Sequence, residues 1–383
     1  MKSEFNSAPV DRPALLRPVR RVVVKVGTYL LTGKGTALNL EMMRKIASEI
    51  AELKRRGKEV VLVTSGAIGA GVLELKLKER PKDLPGLQAA AAVGQAGLMH
   101  LYRACFAAHG LTVGQILLTR EDVRARDRHL NVRHTIAALL KSGAVPIINE
   151  NDSVAVDEIE FGDNDYLAAL VAILIQAELL ILLTDVEGLL APAGPEGKEK
   201  RVVGTVEKIT PEIRRLAGGS TKELSRGGMR SKLEAAGIAT RGGGMVVVAS
   251  GRRPAVLVEV IEGRETGTLF LPSGRRGGGR KCWIAFSCVR KGQIVVDDGA
   301  RRALVARGKS LLASGVIRAQ GDFAAGDMVG IAGPEGTEFA RGLTNYGADD
   351  LRKIQGKKTA QIAPLLGHRY YDEIVHRDNL LIL

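Results

Sequence analysis

Short aliphatic runs recur along the first 270 positions of this chain, and helical stretches separate most of them. Residues 21–26, 60–63, 111–118, 145–148, 179–183 and 245–249 are rich in Val, Ile and Leu and read as buried strands. Between them, residues 40–56 repeat Met43, Ile46, Ala47, Ile50 and Leu53 at helical spacing, residues 86–109 are Ala-rich, and residues 120–142 carry the apolar stripe Leu130, Ile136, Leu139, Leu140. Strands joined through helices cannot be hairpin partners. The alternation therefore predicts a parallel or mostly parallel sheet covered by helices on both faces.

In such sheets ligands bind beyond the carboxyl ends of the strands, and four of those ends carry polar chemistry. Lys25 interrupts the first run just before Gly27, where an ammonium inside a β-branched strand needs a partner or a task. The second run ends in Thr64-Ser65-Gly66, a hydroxyl and a glycine where strand turns to helix. The fourth opens into Asn149-Glu150-Asn151-Asp152-Ser153, crosses an acidic loop and re-enters through Gly162-Asp163-Asn164-Asp165 ahead of an apolar helix, with Asn164 placed to cap it. The fifth ends in Thr184-Asp185. Downstream, residues 218–232 form a glycine-rich, hydroxyl-rich, basic loop ahead of a helix expected over 233–240, a pattern suited to phosphates. Walker A spacing is absent there, and near Gly308-Lys309-Ser310 the first required glycine is replaced by Ala303.

Composition removes several classes. Aromatic residues make up only 4%, which weighs against a base-stacking platform. The formal charge of +14 is spread along the chain instead of forming a basic block, so it reads as a solvated surface. Cys105, Cys282 and Cys288 form no CxxC pair, and the scattered histidines make no zinc pattern, which fits a reducing cytoplasmic setting. The longest apolar run, residues 167–175, is too short to cross a membrane. Residues 1–20, with Pro9, Pro13 and Pro18, read as a flexible leader, and 21–272 as the α/β domain. Residues 273–280 (SGRRGGGRK begins here) read as a linker, 281–366 as a small β-rich domain, and 367–383 as a tail.

The segments VVVKVGTYLLTG, VTSGAI, PIINENDSVA, GDNDYLAALVA, LLTDVEGL and GGMRSKLEAAGIA together resemble the glutamate 5-kinase family over nearly the whole chain after residue 20. The resemblance implies a three-layer α/β/α sandwich around a mostly parallel sheet, followed by a PUA-like domain. It implies ATP with Mg²⁺, and phosphorylation of the L-glutamate side chain as the first step of proline synthesis. By position it implies that Lys25, Lys232 and Asp165 are catalytic and that Ser65, Asp152 and Asn164 hold glutamate. ATP would fall to Lys25, Thr184, Asp185 and the loop Arg226, Gly227, Gly228, Met229, Arg230, Ser231, Lys232. Proline as a feedback inhibitor, a homo-oligomer (dimer or tetramer) and RNA at the PUA-like domain are further expectations. One departure stands out: the family's loop follows a GxGTGGM-type pattern, whereas this chain reads Glu223-Leu224-Ser225-Arg226-Gly227-Gly228-Met229. Other readings stay open from the residues alone: an RNA-binding protein, a regulator without turnover, or a kinase for aspartate, carbamate or a nucleotide.

Overall fold

The computed structural model describes residues 10–33, 38–124, 126–154, 164–193, 199–218, 228–273, 290–367 and 371–383. The chain divides into two compact units, Met1–Gly277 and Gly278–Leu383.

In the first unit the elements run α1 (Arg12–Leu16), β1 (Arg21–Val26), α2 (Thr28–Thr32), α3 (Leu40–Arg55), β2 (Glu59–Val63), α4 (Ala67–Glu74), α5 (Leu84–Ala107) and β3 (Val113–Leu118). Then come α6 (Arg120–Arg124), α7 (Arg126–Lys141), β4 (Val145–Glu150), α8 (Asn164–Leu174) and β5 (Leu179–Thr184). A two-stranded ribbon, β6 (Leu190–Ala193) with β7 (Glu199–Val202), leads to β8 (Thr205–Val206), α9 (Pro211–Leu216), α10 (Met229–Arg241), β9 (Met245–Ser250), α11 (Val256–Glu262) and β10 (Thr268–Phe270). Among the described residues the main sheet has eight strands, in the order β3-β4-β2-β1-β5-β9-β10-β8. Every pairing is parallel except β10 against β9, because β10 returns along the sheet after the short α11.

Strand alternation sorts the two faces. Val22, Val24 and Val26 of β1 join the core formed with Met43, Ile46 and Ile50 of α3, Leu98 and Tyr102 of α5, and Leu257 of α11. Lys25, one residue out of phase, faces the opposite layer, where α8 and α10 pack on each other and on the sheet. The result is a helix–sheet–helix sandwich, as the alternation requires. Burying a Val or Leu side chain contributes roughly 1.5–3 kcal/mol, and β5 and β9 are buried at all six positions each.

Several expectations are corrected. Residues 10–20 are not a flexible leader: Leu16 and Val19 are buried, and α1 is anchored by Arg12, which is only 5% exposed. The Arg12 guanidinium donates to the carbonyls of Arg264 (3.1 Å), Thr266 (3.3 Å), Gly267 (3.2 Å) and Gly204, so a charge that reads as solvent-facing closes the domain instead. Helix α10 starts at Met229, four residues earlier than the loop-like composition suggests, with extended Gly228 as its N-cap. The charged helix at 120–142 is two helices, α6 and α7. Most of the acidic loop (155–163), the stretch 219–227 with Arg226 and Gly227, and linker residues 274–280 lie outside the described residues.

Among the described residues the second unit holds a five-stranded sheet: β13 (Val316–Gly321), β11 (Gly292–Val296), β14 (Met328–Ala332), β15 (Glu338–Leu343) and β17 (Leu380–Ile382), in that spatial order. A second pair joins β12 (Leu311–Leu312) to β16 (Glu373–Val375). The segment expected as a tail is therefore part of this fold: β17 completes the sheet edge, and Ile374, Val375 and Leu380 enter the core.

Candidate active site

Parallel register brings the carboxyl ends of the central strands level. Lys25 pairs with Val63 of β2 and Leu182 of β5, and Val63 pairs with Ile148 of β4. The residues that follow, Thr64 and Asn149, therefore stand side by side at the top of the sheet.

Asp165, in the first turn of α8, is fully buried. Its Oδ1 lies 2.6 Å from Lys25 Nζ and its Oδ2 lies 3.1 Å from Lys232 Nζ. The Ser231 hydroxyl donates to the same Oδ2 at 2.8 Å. Burial alone would push this carboxyl up; the two ammonium groups and the hydroxyl overcome it and hold the group well below the usual carboxylate range. Two buried lysines against one carboxylate leave an excess positive charge, which in a low-dielectric site favours an anionic ligand. Lys232 reaches this place because α10 begins at Met229, so Ser231 and Lys232 both lie in its first turn.

Beside this group, three carboxamides and a serine form a second cluster. Asn164 Nδ2 donates to the Thr64 carbonyl (2.9 Å), Ser65 Oγ (2.9 Å) and Asn149 Oδ1 (3.1 Å). Its side chain therefore ties β2 to β4 and does not act as the helix cap expected from the sequence; Asn164 is itself the first helical residue. Asn149 Nδ2 in turn donates to Gln95 Oε1 at 2.7 Å. Gln95 rides on α5, which crosses α4 so closely that a Cβ on Gly94 would lie 2.0 Å from the Ala67 carbonyl oxygen, and one on Gly71 1.7 Å from that of Ala90. Seven residues on, Tyr102 OH meets Thr64 Oγ1 at 2.8 Å, so one face of α5 props two strand ends.

Asp152 follows β4 in a half-buried turn. Burial pushes its carboxyl up to about 6, against the opposing charge of Arg80. Thr184 donates from Oγ1 to Asp185 Oδ1 at 3.1 Å, at the end of β5. Met229 is half-buried; Arg230 is exposed and paired with Glu234 at 3.3 Å, away from Asp165. The structure thus gathers Lys25, Asp165, Ser231 and Lys232 in one cluster and Ser65 and Asn164 in another, and leaves Arg230 on the outside. Gln95 and Asn149 are the additions. The signal for Gln95 is a lone amide on the buried stripe Leu87, Ala91, Leu98, Tyr102 of an Ala-rich helix, where a polar group requires a partner.

Among the described residues no three His, Cys, Asp or Glu side chains gather to hold a metal, and the buried Asp165 carboxylate is engaged by two lysines.

Comparison with known proteins fits this arrangement. Residues 20–250 match the amino acid kinase family and residues 292–366 match the PUA domain. Glutamate 5-kinase of Moorella thermoacetica is 51% identical over 368 residues, covering 96% of this chain and 97% of that protein. Glutamate 5-kinase of Thermoanaerobacter sp. is 47% identical over 363 residues (95% and 98%), and that of Myxococcus xanthus 47% over 379 residues (99% and 100%). With a parallel sheet that ends in the Lys25–Asp165–Lys232 cluster, and relatives of this identity along its whole length, the chain belongs to the amino acid kinase family.

Proposed function

We propose that the chain transfers the γ-phosphoryl group of ATP to the side-chain carboxylate of L-glutamate, giving L-glutamyl 5-phosphate and ADP, the first step of proline synthesis. The observation that carries this reading is the buried cluster of Lys25, Asp165 and Lys232. A glutamate side chain is already ionised at neutral pH, so the reaction needs no general base. What it needs is relief of repulsion as an anion approaches a triphosphate, with positioning and charge stabilisation throughout. Lys25 on β1 and Lys232 on α10 approach from opposite sides of one carboxylate, an arrangement that lets both ammonium groups face the transferring phosphoryl group. Asp165 fixes their spacing.

In this reading Ser65, Asn164 and Asp152 hold glutamate, with Asp152 accepting from its α-ammonium group. Thr184 and Asp185 at the end of β5 hold the nucleotide, together with the loop that includes Arg226 and Gly227 and leads through Gly228 and Met229 into α10. Mg²⁺ arrives as part of MgATP. That these relatives are glutamate 5-kinases supports the choice of glutamate over aspartate, carbamate or a nucleotide as acceptor. A cytoplasmic location, homo-oligomerisation, competition by free proline through the loop after Asp152, and RNA contact by the second unit belong to the same reading. Among the described residues no helix is long and apolar enough to cross a membrane. The test is to incubate the protein with MgATP, candidate acids and hydroxylamine, which traps an acyl phosphate as its hydroxamate. Hydroxamate with L-glutamate and none with L-aspartate is the expected result; ATP turnover without hydroxamate would overturn the reading.

A further inference from the structure

Asn164 Nδ2 faces the Thr64 carbonyl oxygen at 2.9 Å, and a carbonyl can only accept, so this contact settles which end of the Asn164 amide is nitrogen. The same nitrogen faces Asn149 Oδ1 at 3.1 Å, which turns the Asn149 nitrogen toward Gln95 Oε1 at 2.7 Å. Three amides from α8, β4 and α5 are thus joined head to tail. Two atoms at the ends of this chain are buried and have no partner among the described residues: Asn164 Oδ1, an acceptor, and Gln95 Nε2, a donor. Buried polar atoms are normally paired, so an orphan acceptor at the end of β2 and β4 marks a place where a ligand donor belongs. Ser65 Oγ accepts from Asn164, which leaves its own hydrogen to donate.

We infer that Gln95 is a positioning residue for the α-amino group of the amino-acid substrate. By accepting from Asn149 it removes the flipped state of that amide, in which Asn149 Nδ2 would oppose Asn164 Nδ2, donor against donor. The Asn164 oxygen is then held as a neutral acceptor for the substrate ammonium. The inference rests on the amino-acid kinase reading above and adds a residue that touches neither phosphate nor glutamate. Gln95 can hold this position because the glycine contact between α4 and α5 admits its helix to the strand ends.

The test compares wild type, Gln95→Met, Gln95→Glu, Asn164→Ala and the Gln95→Met/Asn164→Ala double variant in the hydroxamate assay, with thermal unfolding of each. Gln95→Met should raise the glutamate KM roughly 10-fold or more while leaving the ATP KM within about 2-fold. Gln95→Glu keeps an acceptor for Asn149 and should recover most of that loss. The double variant should be no worse on glutamate than Asn164→Ala, since Gln95 has nothing left to orient once the acceptor is gone. Should Gln95→Met fail to fold, Gln95→Ala removes the same acceptor from Asn149 and carries the same expectation. An unchanged glutamate KM, equal rises in both KM values, or additive effects in the double variant would overturn the inference and leave the kinase reading standing. A wild-type protein that makes no glutamyl hydroxamate would overturn both.

Discussion

Lys25 Nζ stands 2.6 Å from Asp165 Oδ1, both side chains almost wholly buried, with the lysine on the central strand and the aspartate in the first turn of a helix that packs over it. Lys232 occupies the other oxygen, so the carboxylate carries two cations and each cation keeps a partner if the other is removed. Lys25→Ala or Lys232→Ala should therefore lower kcat at least ~100-fold with modest loss of stability. Asp165→Asn should be worse for the fold than either, by about 3–5 kcal/mol, because it strands two buried ammonium groups. Steady-state kinetics and urea unfolding of the three variants check the ranking; a lysine variant with near-normal kcat would remove that lysine from the chemistry.

The carboxyl of Asp152 offers a pH test. Burial raises it to about 6 while Arg80 opposes the rise. An ammonium substrate requires the ionised form, so the glutamate KM should fall about three- to five-fold from pH 5.5 to 7.5, and Asp152→Asn should flatten that profile at a higher KM. The stability sign follows from the same shift. The folded state holds this proton more tightly than the unfolded state, so its contribution is full below about pH 4 and is lost as pH rises through about 6. Above pH 6, free of ligand, Asp152→Asn should melt above wild type.

Gly94 and Gly97 on the same helix should behave oppositely when changed to Ala. At Gly94 the added carbon meets backbone, 2.0 Å from the Ala67 carbonyl oxygen, and separation of α4 and α5 should cost about 3 kcal/mol and raise the glutamate KM through displaced Gln95. At Gly97 it meets only Glu74 Oε2 at 3.1 Å, the end of a flexible side chain, so the helix-propensity gain of up to about 1 kcal/mol should prevail. Thermal melts of both variants check the sign.

A chain ended at Gly274 should fold and keep glutamate-dependent turnover, since each residue placed in the chemistry lies before position 233 and the compact units divide at residues 277 and 278. The separate fragment from residue 275 is the one in which salt-sensitive RNA retention would be sought. A soluble truncated protein without turnover would show that the second unit completes the site.

Which parts of this were legible in the sequence follows from how local each signal is. The strands announce themselves as aliphatic runs, and helical stretches between them leave a parallel sheet as the workable arrangement; Lys25 stands out because nothing else charged interrupts those runs. Asn164 ahead of an apolar helix has an ordinary capping explanation, and only the proximity of Thr64, Ser65 and Asn149 shows another use for its amide. The early start of α10 is hidden by Gly228 and the basic, hydroxyl-bearing residues after it, which read as loop until Ser231 and Lys232 find Asp165. Gln95 meets Asn149 across 54 positions, and periodicity assigns a residue to a helix face without naming what that face will cross. Arg12 is the extreme case, with prolines nearby and its four acceptors far along the chain.

That separation has a consequence for how the protein is made. The earliest-synthesised strand of the main sheet lies in its middle, and its neighbour β5 is synthesised more than 150 residues later. The carbonyls that receive Arg12 come later still, up to 255 positions downstream. At about 5–20 residues per second, the N-terminal segment emerges on the order of 10–50 s before its last partner exists. The nascent chain therefore carries an aliphatic strand that β2 can cover early on one edge but whose other edge stays open until β5 is made, and the guanidinium clasp sets only when the kinase unit is all but finished. The second edge of β1 closes with β5, and the Arg12 clasp only as residues 264–267 clear the exit tunnel.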